Sequence, residues 1–117
     1  MLNELAVKCG TRAEEKGWHD KYASVIDTPN QIDHVVAKLA LITCEVAEAI
    51  EEVRAGRGFD ETYYSECSKP EGVPSELADI IIRTLDLAYM LNIDIEQIVN
   101  EKLDFNGTRP RLHGKVI

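Results

Sequence analysis

Four acidic side chains form two pairs with the same spacing. Glu45 and Glu48 stand three residues apart in the segment EVAEAIEE, and Glu76 and Asp79 repeat that spacing in ELADIIIRTLD. On a helix, residues three apart are neighbours, about 5–6 Å apart at Cβ. Two such pairs on facing helices would converge on a space lined only by oxygen, which suits Mg²⁺ or Mn²⁺. The pattern therefore predicts a divalent metal site, although acidic pairs of this spacing also occur on solvated helix faces.

Composition limits the classes of protein to be considered. The 117 residues correspond to a single domain, 1–117. The formal charge of −8 argues against broad nucleic-acid binding, which needs a basic surface. No apolar run approaches the roughly 20 residues that cross a bilayer, and the first residues lack a signal-peptide pattern. Cys9, Cys44 and Cys67 have neither zinc-site nor disulfide spacing, so we expect a cytoplasmic protein.

The charge is distributed unevenly along the chain. Residues 41–66 hold seven acids against two arginines, whereas the tail 105–117 holds Arg109, Arg111 and Lys115 and no acid. An acidic centre beside a basic tail suits an anionic ligand that arrives with a divalent cation. The alternative is that the negative surface serves solubility alone.

The periodicity predicts an all-α fold of four helices, arranged as a four-helix bundle. The helices are expected over about 2–16, 29–55, 74–91 and 95–106, with Thr28-Pro29 as a start signal for the second. Asp94 is the expected cap of the fourth helix, and Gln97 three residues later is its capping-box partner. Residues 56–73 show no clear periodicity and are expected to be a loop.

The third helix has an unusually wide apolar surface. Its polar positions Glu76, Asp79, Arg83 and Asp86 fall within an arc of about 80°, and apolar residues cover roughly 220°. An ordinary surface helix has an apolar stripe of somewhat over 100°. The helix should therefore be central and packed on at least two sides. Four short helices can hardly cover such a surface, so we also expect at least a homodimer.

Several familiar site classes are absent from the sequence. No histidine follows a glutamate by three residues, which excludes the Glu-x-x-His pairs of ferritin-like di-iron bundles. There is no HExxH motif, EF-hand loop or complete P-loop. The paired carboxylates are therefore the main candidates for chemistry.

The acidic pairs and the tail carry a family resemblance. EVAE, then 27 residues, then ELAD, followed by the tail KLDFNGTRPRLHGK, resembles the MazG-like nucleoside triphosphate pyrophosphohydrolases, which are all-α NTP pyrophosphatases. The resemblance covers about residues 31–115 in order and, more loosely, the first helix and KGWHD. The 56–73 loop is long for that family. The resemblance also implies a homodimer or homotetramer and, because the family includes phage-type proteins, a location in the host cytoplasm if the protein is phage-encoded.

The resemblance implies hydrolysis of a nucleoside triphosphate between its α and β phosphates, giving a monophosphate and pyrophosphate. It implies Mg²⁺, with Mn²⁺ as a substitute, held by four ligands that also form the catalytic centre: Glu45, Glu48, Glu76 and Asp79. One of these carboxylates would serve as general base. The substrate phosphates and sugar would be bound by Lys102, Asn106 and Arg109.

Further candidates lie outside the family motif. Trp18 could stack on a nucleotide base or anchor the core. Lys38 and Arg83 lie on the acidic stripes and could touch phosphate or, as the more favoured interpretation, neutralise neighbouring carboxylates. Tyr63 and Tyr64 could belong to a loop over the site or to a subunit contact.

The sequence leaves two kinds of alternative open. A non-catalytic helical interaction module, or a passive metal-binding bundle, would explain the acids without turnover. Within the enzyme class, all-α dUTPases and phosphoribosyl-ATP pyrophosphatases are also similar, and the base preference is not encoded in any spacing.

Overall fold

The computed structural model describes residues 1–117, and 68% of them are helical. The elements in chain order are α1 (Leu2–Glu15), α2 (Asp20–Val25), α3 (Gln31–Arg54), β1 (Tyr63–Tyr64), β2 (Pro70–Glu71), α4 (Val73–Met90), α5 (Ile95–Gly107) and a 3-10 helix (Arg111–Gly114). The predicted all-α class is confirmed, with a two-stranded hairpin as the only sheet. None of the helices has the length and apolar character needed to span a membrane.

The short helix α2 lies where the sequence predicted a loop. It is held by Tyr22, which is buried, and the Tyr22 hydroxyl accepts a hydrogen bond of 2.9 Å from the Gln31 side-chain amide. The Thr28 hydroxyl donates to the carbonyl oxygen of Val25 at 2.5 Å, across the end of α2. Because Thr28 bonds backward in this way, α3 begins at Gln31 rather than at Pro29.

The segment predicted as an irregular loop contains the hairpin. Strands β1 and β2 are antiparallel and pair Tyr63 with Glu71 and Tyr64 with Pro70. At Gly72, φ is +112°, and a Cβ there would lie 2.2 Å from the carbonyl oxygen of Glu61. Only glycine lets the chain leave the hairpin and enter α4 this close to the neighbouring backbone.

Helix α4 is the central element, as predicted, and it packs against α1 and α3. The buried apolar residues are Ala6, Tyr22, Leu85, Leu87 and Ala88. Helices α1 and α4 approach closely at Gly10, where a Cβ would lie 2.0 Å from Cδ1 of the Tyr89 ring. These contacts fix the side of α4 that is turned toward α1.

Helix α5 is joined to the start of α1 by reciprocal capping. Glu96 Oε1 accepts hydrogen bonds from the backbone amides of Leu2 (2.6 Å) and Asn3 (3.3 Å). The Asn3 side-chain oxygen accepts a bond of 3.1 Å from the amide of Glu96. The predicted cap at Asp94 is confirmed, since its side chain accepts from the Gln97 amide at 3.1 Å.

The core of a single chain is small. Only 8 of 117 residues are buried, and the radius of gyration is 17.0 Å. A compact domain of this length has a radius of gyration of about 13 Å. The helices of one chain thus do not close around a large common core, and closure into a four-helix bundle stays a prediction.

Candidate metal centre

Three of the four predicted acids converge between α3 and α4. Carboxylate oxygens of Glu45, Glu76 and Asp79 all lie within 4.8 Å of one another. Glu76 lies in the first turn of α4, which Pro74 helps to start, and Asp79 follows one turn later. Glu48 is exposed and lies outside this group of three, although its carboxyl group contributes to raising the pKa of Glu76. The structure therefore brings together Glu76 and Asp79 with one member of the first pair, Glu45.

The burial of these oxygens suits a cation. Glu45 is buried, and Glu76 and Asp79 are half-buried. Glu45 Oε2 and Glu76 Oε2 are inaccessible to solvent and have no hydrogen-bond partner. Leaving a buried carboxylate oxygen without a partner is strongly unfavourable. A hard divalent cation bound by oxygen ligands would supply that partner, so the residues present fit Mg²⁺ or Mn²⁺.

Crowding of like charges changes the proton affinity of the cluster. Burial, together with the adjacent Glu48 and Glu45 carboxyl groups, raises the pKa of Glu76 to about 7. Burial and the charge of Glu45 also raise the pKa of Asp79. At neutral pH the cluster consequently holds a proton on Glu76 for a substantial fraction of the time, unless a cation replaces it.

Arg83 neutralises one member of the cluster. Its Nε donates a hydrogen bond of 2.5 Å to Glu45 Oε1. Burial by itself raises the pKa of Glu45, but the bond from Arg83 helps to outweigh that effect, and the net pKa lies below its usual value. The predicted role of Arg83 in neutralising a carboxylate is confirmed, and Glu45 is held ionised.

Lys38 and Trp18 form a different contact from the one predicted. Lys38 Nζ donates to the backbone carbonyl oxygen of Trp18 at 3.3 Å and forms no ion pair with the acids. Lys38 lies two helical turns before Glu45, on the part of α3 beside the α1–α2 connection. The interpretation of Lys38 as a neutralising partner is wrong in this structure. The Trp18 side chain is 67% exposed, so the core-anchor interpretation is wrong as well.

Asp86 belongs to the acidic arc of α4 but pairs elsewhere. His19 Nε2 lies 2.6 Å from Asp86 Oδ1, and His19 Nδ1 lies 3.6 Å from Glu14 Oε1. This contact fastens the α1–α2 connection to α4. It is a structural link that the sequence pattern did not reveal.

The predicted substrate-binding residues of the tail do not contact the cluster in one chain. Lys102 Nζ lies 5.9 Å and the Arg109 guanidinium 6.0 Å from the centre of the Phe105 ring. Asn106 accepts a bond of 3.2 Å at its backbone carbonyl oxygen from the Arg109 amide. None of the three forms a hydrogen bond or ion pair with the four acids. Helix α5, which carries Lys102 and Asn106, is instead capped against α1.

The hairpin contributes residues that sequence reasoning placed only loosely. The Tyr63 hydroxyl lies 2.9 Å from both carboxylate oxygens of Glu52, one helical turn after Glu48. The Arg57 guanidinium lies 3.8 Å from the centre of the Tyr63 ring. On the other side, the Ser75 hydroxyl donates to the Pro70 carbonyl oxygen at 2.9 Å. The hairpin is therefore attached to both helices that carry the acids.

Comparison with models of protein families, with curated proteins and with solved structures finds no match for this chain. The chemistry of the cluster is therefore inferred from its own residues.

Proposed function

We propose that this protein is a divalent-metal-dependent nucleoside triphosphate pyrophosphohydrolase that converts a (d)NTP into a (d)NMP and pyrophosphate. The observation that carries the proposal is the convergence of Glu45, Glu76 and Asp79, with two buried carboxylate oxygens that lack a partner. Glu45, Glu48, Glu76 and Asp79 would hold Mg²⁺, and Mn²⁺ suits the same oxygen ligands. The choice of the α–β bond rests on the resemblance of the two acidic pairs and the tail to MazG-like enzymes.

The electrostatics of the cluster favour a substrate that comes with a cation. A nucleoside triphosphate carries about four negative charges, and an acidic cluster alone would repel it. When bound, a divalent cation reverses the local field and provides Lewis-acid activation of phosphate and water. One of the four carboxylates would serve as general base toward the attacking water.

Pyrophosphate release tests the proposed function directly. The assay uses the eight canonical NTPs and dNTPs plus dUTP, first with Mg²⁺ and then with EDTA. Glu48→Gln and Asp79→Asn are expected to lower the rate at least about 100-fold, because each removes a carboxylate from the cation site. The exposed α5 variant Asp104→Asn is the control and should keep full activity.

The alternative, non-catalytic function predicts the opposite result in this assay. A non-catalytic interaction module, or a passive metal-binding bundle, gives no nucleotide-dependent pyrophosphate release with any of these substrates. Release that persists in EDTA, or in both cluster variants, would place the activity elsewhere and refute the proposed site.

We also propose that the functional unit is a homo-oligomer, with α3 as its main contact helix. An exposed stripe on α3 follows the alternating spacing of four and three residues that is typical of coiled-coil seams. Its apolar members are 42% to 72% exposed: Ile32, Val36, Leu39, Val46, Ile50 and Val53. A helix of 24 residues extends about 36 Å, long enough to contribute substantially to the roughly 800 Å² per partner of a stable interface.

Sedimentation equilibrium tests this assembly. The wild type is expected at two or four times the 13.1 kDa of the chain. Val46→Glu, in the middle of the stripe, should shift the mass toward that of a single chain, since it places a charge in an apolar contact. Glu51→Lys on another face of α3 should leave the mass unchanged. If the wild type sediments with the mass of a single chain, the proposed homo-oligomer is refuted.

A further inference from the structure

We propose that Lys69 of the β-hairpin binds the pyrophosphate portion of the substrate beside the carboxylate cluster. This inference rests on the proposed function and assigns a phosphate contact to a residue of the 56–72 segment, whereas the family resemblance implied phosphate contacts from the tail.

The hairpin is attached at the end of the helix pair where the cluster lies. Tyr63 reaches Glu52, four residues after Glu48 on α3, through hydrogen-bond distances of 2.9 Å. The Pro70 carbonyl oxygen accepts from the hydroxyl of Ser75, the residue before Glu76 on α4. The two attachments lie on either side of the gap between α3 and α4, so the hairpin spans the two helices next to the acids.

Lys69 occupies a fixed place in this hairpin. Its carbonyl oxygen accepts a hydrogen bond of 3.0 Å from the Ser65 amide, and Ser68 before it has a φ of +63°. The next residue, Pro70, is bonded to α4 as described. The backbone at Lys69 is therefore held by two bonds, while its side chain is exposed and makes no ion pair.

Lys69 lies close to the cluster along the backbone. The residue after it, Pro70, is bonded through its carbonyl oxygen to the hydroxyl of Ser75, and Ser75 directly precedes the proposed ligand Glu76. The Lys69 ammonium is therefore carried on the same end of α4 as the acids. A flexible four-carbon stem allows that ammonium to move onto a bound phosphate without a change of the backbone.

The other cations near this end of the molecule are already engaged. Arg83 donates to Glu45 at 2.5 Å, and Arg57 donates to Glu61 at 3.0 Å while covering Tyr63. Of the two basic residues in the 56–72 segment, Lys69 is the one without an ion pair. It is therefore available to an anionic ligand at this end of the molecule.

Calorimetric titration with inorganic pyrophosphate at saturating Mn²⁺ tests the inference without requiring turnover. Lys69→Gln is expected to weaken pyrophosphate binding about tenfold or more, since a charge-assisted contact is lost. Lys69→Arg should retain most of the affinity, and all variants should bind Mn²⁺ alone as the wild type does. Lys21→Gln, an exposed lysine on α2, is the matched control, and Lys102→Gln measures the contribution of the tail.

The outcomes separate this inference from the proposed function. Normal pyrophosphate affinity in Lys69→Gln, a loss confined to Lys102→Gln, or no pyrophosphate binding by the wild type each overturns the role of Lys69. If Lys69→Gln shows the loss but no nucleotide is hydrolysed by the wild type, the phosphate contact stands and the proposed enzyme does not. If the wild type hydrolyses nucleotides and Lys69→Gln keeps the wild-type pyrophosphate affinity and KM, the proposed enzymatic function is supported and the role of Lys69 is refuted.

Discussion

Glu76→Gln is expected to weaken Mn²⁺ binding at least about 100-fold at pH 8. Substitution of the outer partners that merely orient metal ligands already lowers affinity by about 10- to 100-fold. Glu76 supplies one of the three converging ligand atoms, and its Oε2 is buried without a partner. Glutamine keeps the size of the side chain and removes the negative charge, so the loss reports on the ligand and not on packing. Calorimetric titration with Mn²⁺ provides the measurement.

The same variant should lose most of the pH dependence of metal binding. Burial and the neighbouring Glu48 and Glu45 groups raise the pKa of Glu76 to about 7, so a proton must leave before the cation binds. Wild-type affinity should therefore rise about tenfold per pH unit below pH 7 and level off above it. Glu101→Gln, on the exposed side of α5, is the control and should keep the wild-type profile. Equal affinities and equal pH profiles for Glu76→Gln and the wild type would exclude Glu76 as a ligand.

Metal-free stability should depend on pH in the opposite sense. The folded protein retains a proton on Glu76 up to a pKa of about 7, whereas the ordinary value of 4.5 applies in the unfolded chain. Stability from this group is complete below pH 4.5 and is lost as pH rises through about 7. With solvent screening, the loss is about 1–2 kcal/mol. Subtracting the Glu76→Gln unfolding curve removes the contribution of carboxylates outside the cluster, so the difference reports on Glu76 together with the acids that interact with it.

Local signals in the sequence were sufficient for the four longer helices and for the spacing of the acids, but not for the short helix α2. The i, i+3 spacing places Glu76 and Asp79 on one face whatever the tertiary structure is, and the wide apolar surface of α4 requires neighbours on more than one side. The cap at Asp94 depends on contacts within four residues, so it could be identified as well. The convergence of Glu45 with Glu76 and Asp79 follows from these local features and from the packing of α3 against α4.

Contacts between segments that are distant in the sequence could not be predicted from local patterns. The hairpin depends on the close approach of Gly72 to the Glu61 backbone, and its strands have only two residues each. The position of Lys38 on α3 does not show whether its side chain contacts Trp18 or Glu45. Lys38 and Glu45 lie on the same helix, whereas Trp18 belongs to the distant α1–α2 connection. The position of α5 is set by the bonds from the start of α1 to Glu96, which link residues more than 90 positions apart.

Arg83→Met is expected to destabilise the fold by about 2 kcal/mol at pH 7. Removing one partner of a fully buried ion pair costs about 3–5 kcal/mol, and an exposed pair contributes about 0–1 kcal/mol. The Glu45 side chain is 8% exposed and that of Arg83 is 41% exposed, which places this pair between the two limits. Methionine retains most of the apolar stem, so the loss comes mainly from the unpaired carboxylate. Urea unfolding followed by circular dichroism measures it.

The pH dependence of this loss identifies Glu45 as its source. The wild-type pKa of Glu45 is lowered, so its stabilising effect is present above pH 4.5 and disappears as pH falls through the lowered value. Without Arg83, burial raises the pKa of Glu45. At acidic pH the Glu45 carboxyl group is then protonated, and the unfavourable burial of an unpaired charge disappears. The difference between the proteins should thus be largest near neutral pH and should vanish once the pH is below the lowered pKa of Glu45. In a Glu45→Gln background, Arg83→Met should cost less than about 1 kcal/mol, because no buried charge is left unpaired. An equal loss of unfolding free energy in both backgrounds would mean that Arg83 acts through packing. In that case, adding Mn²⁺ would not restore the stability of the Arg83→Met protein.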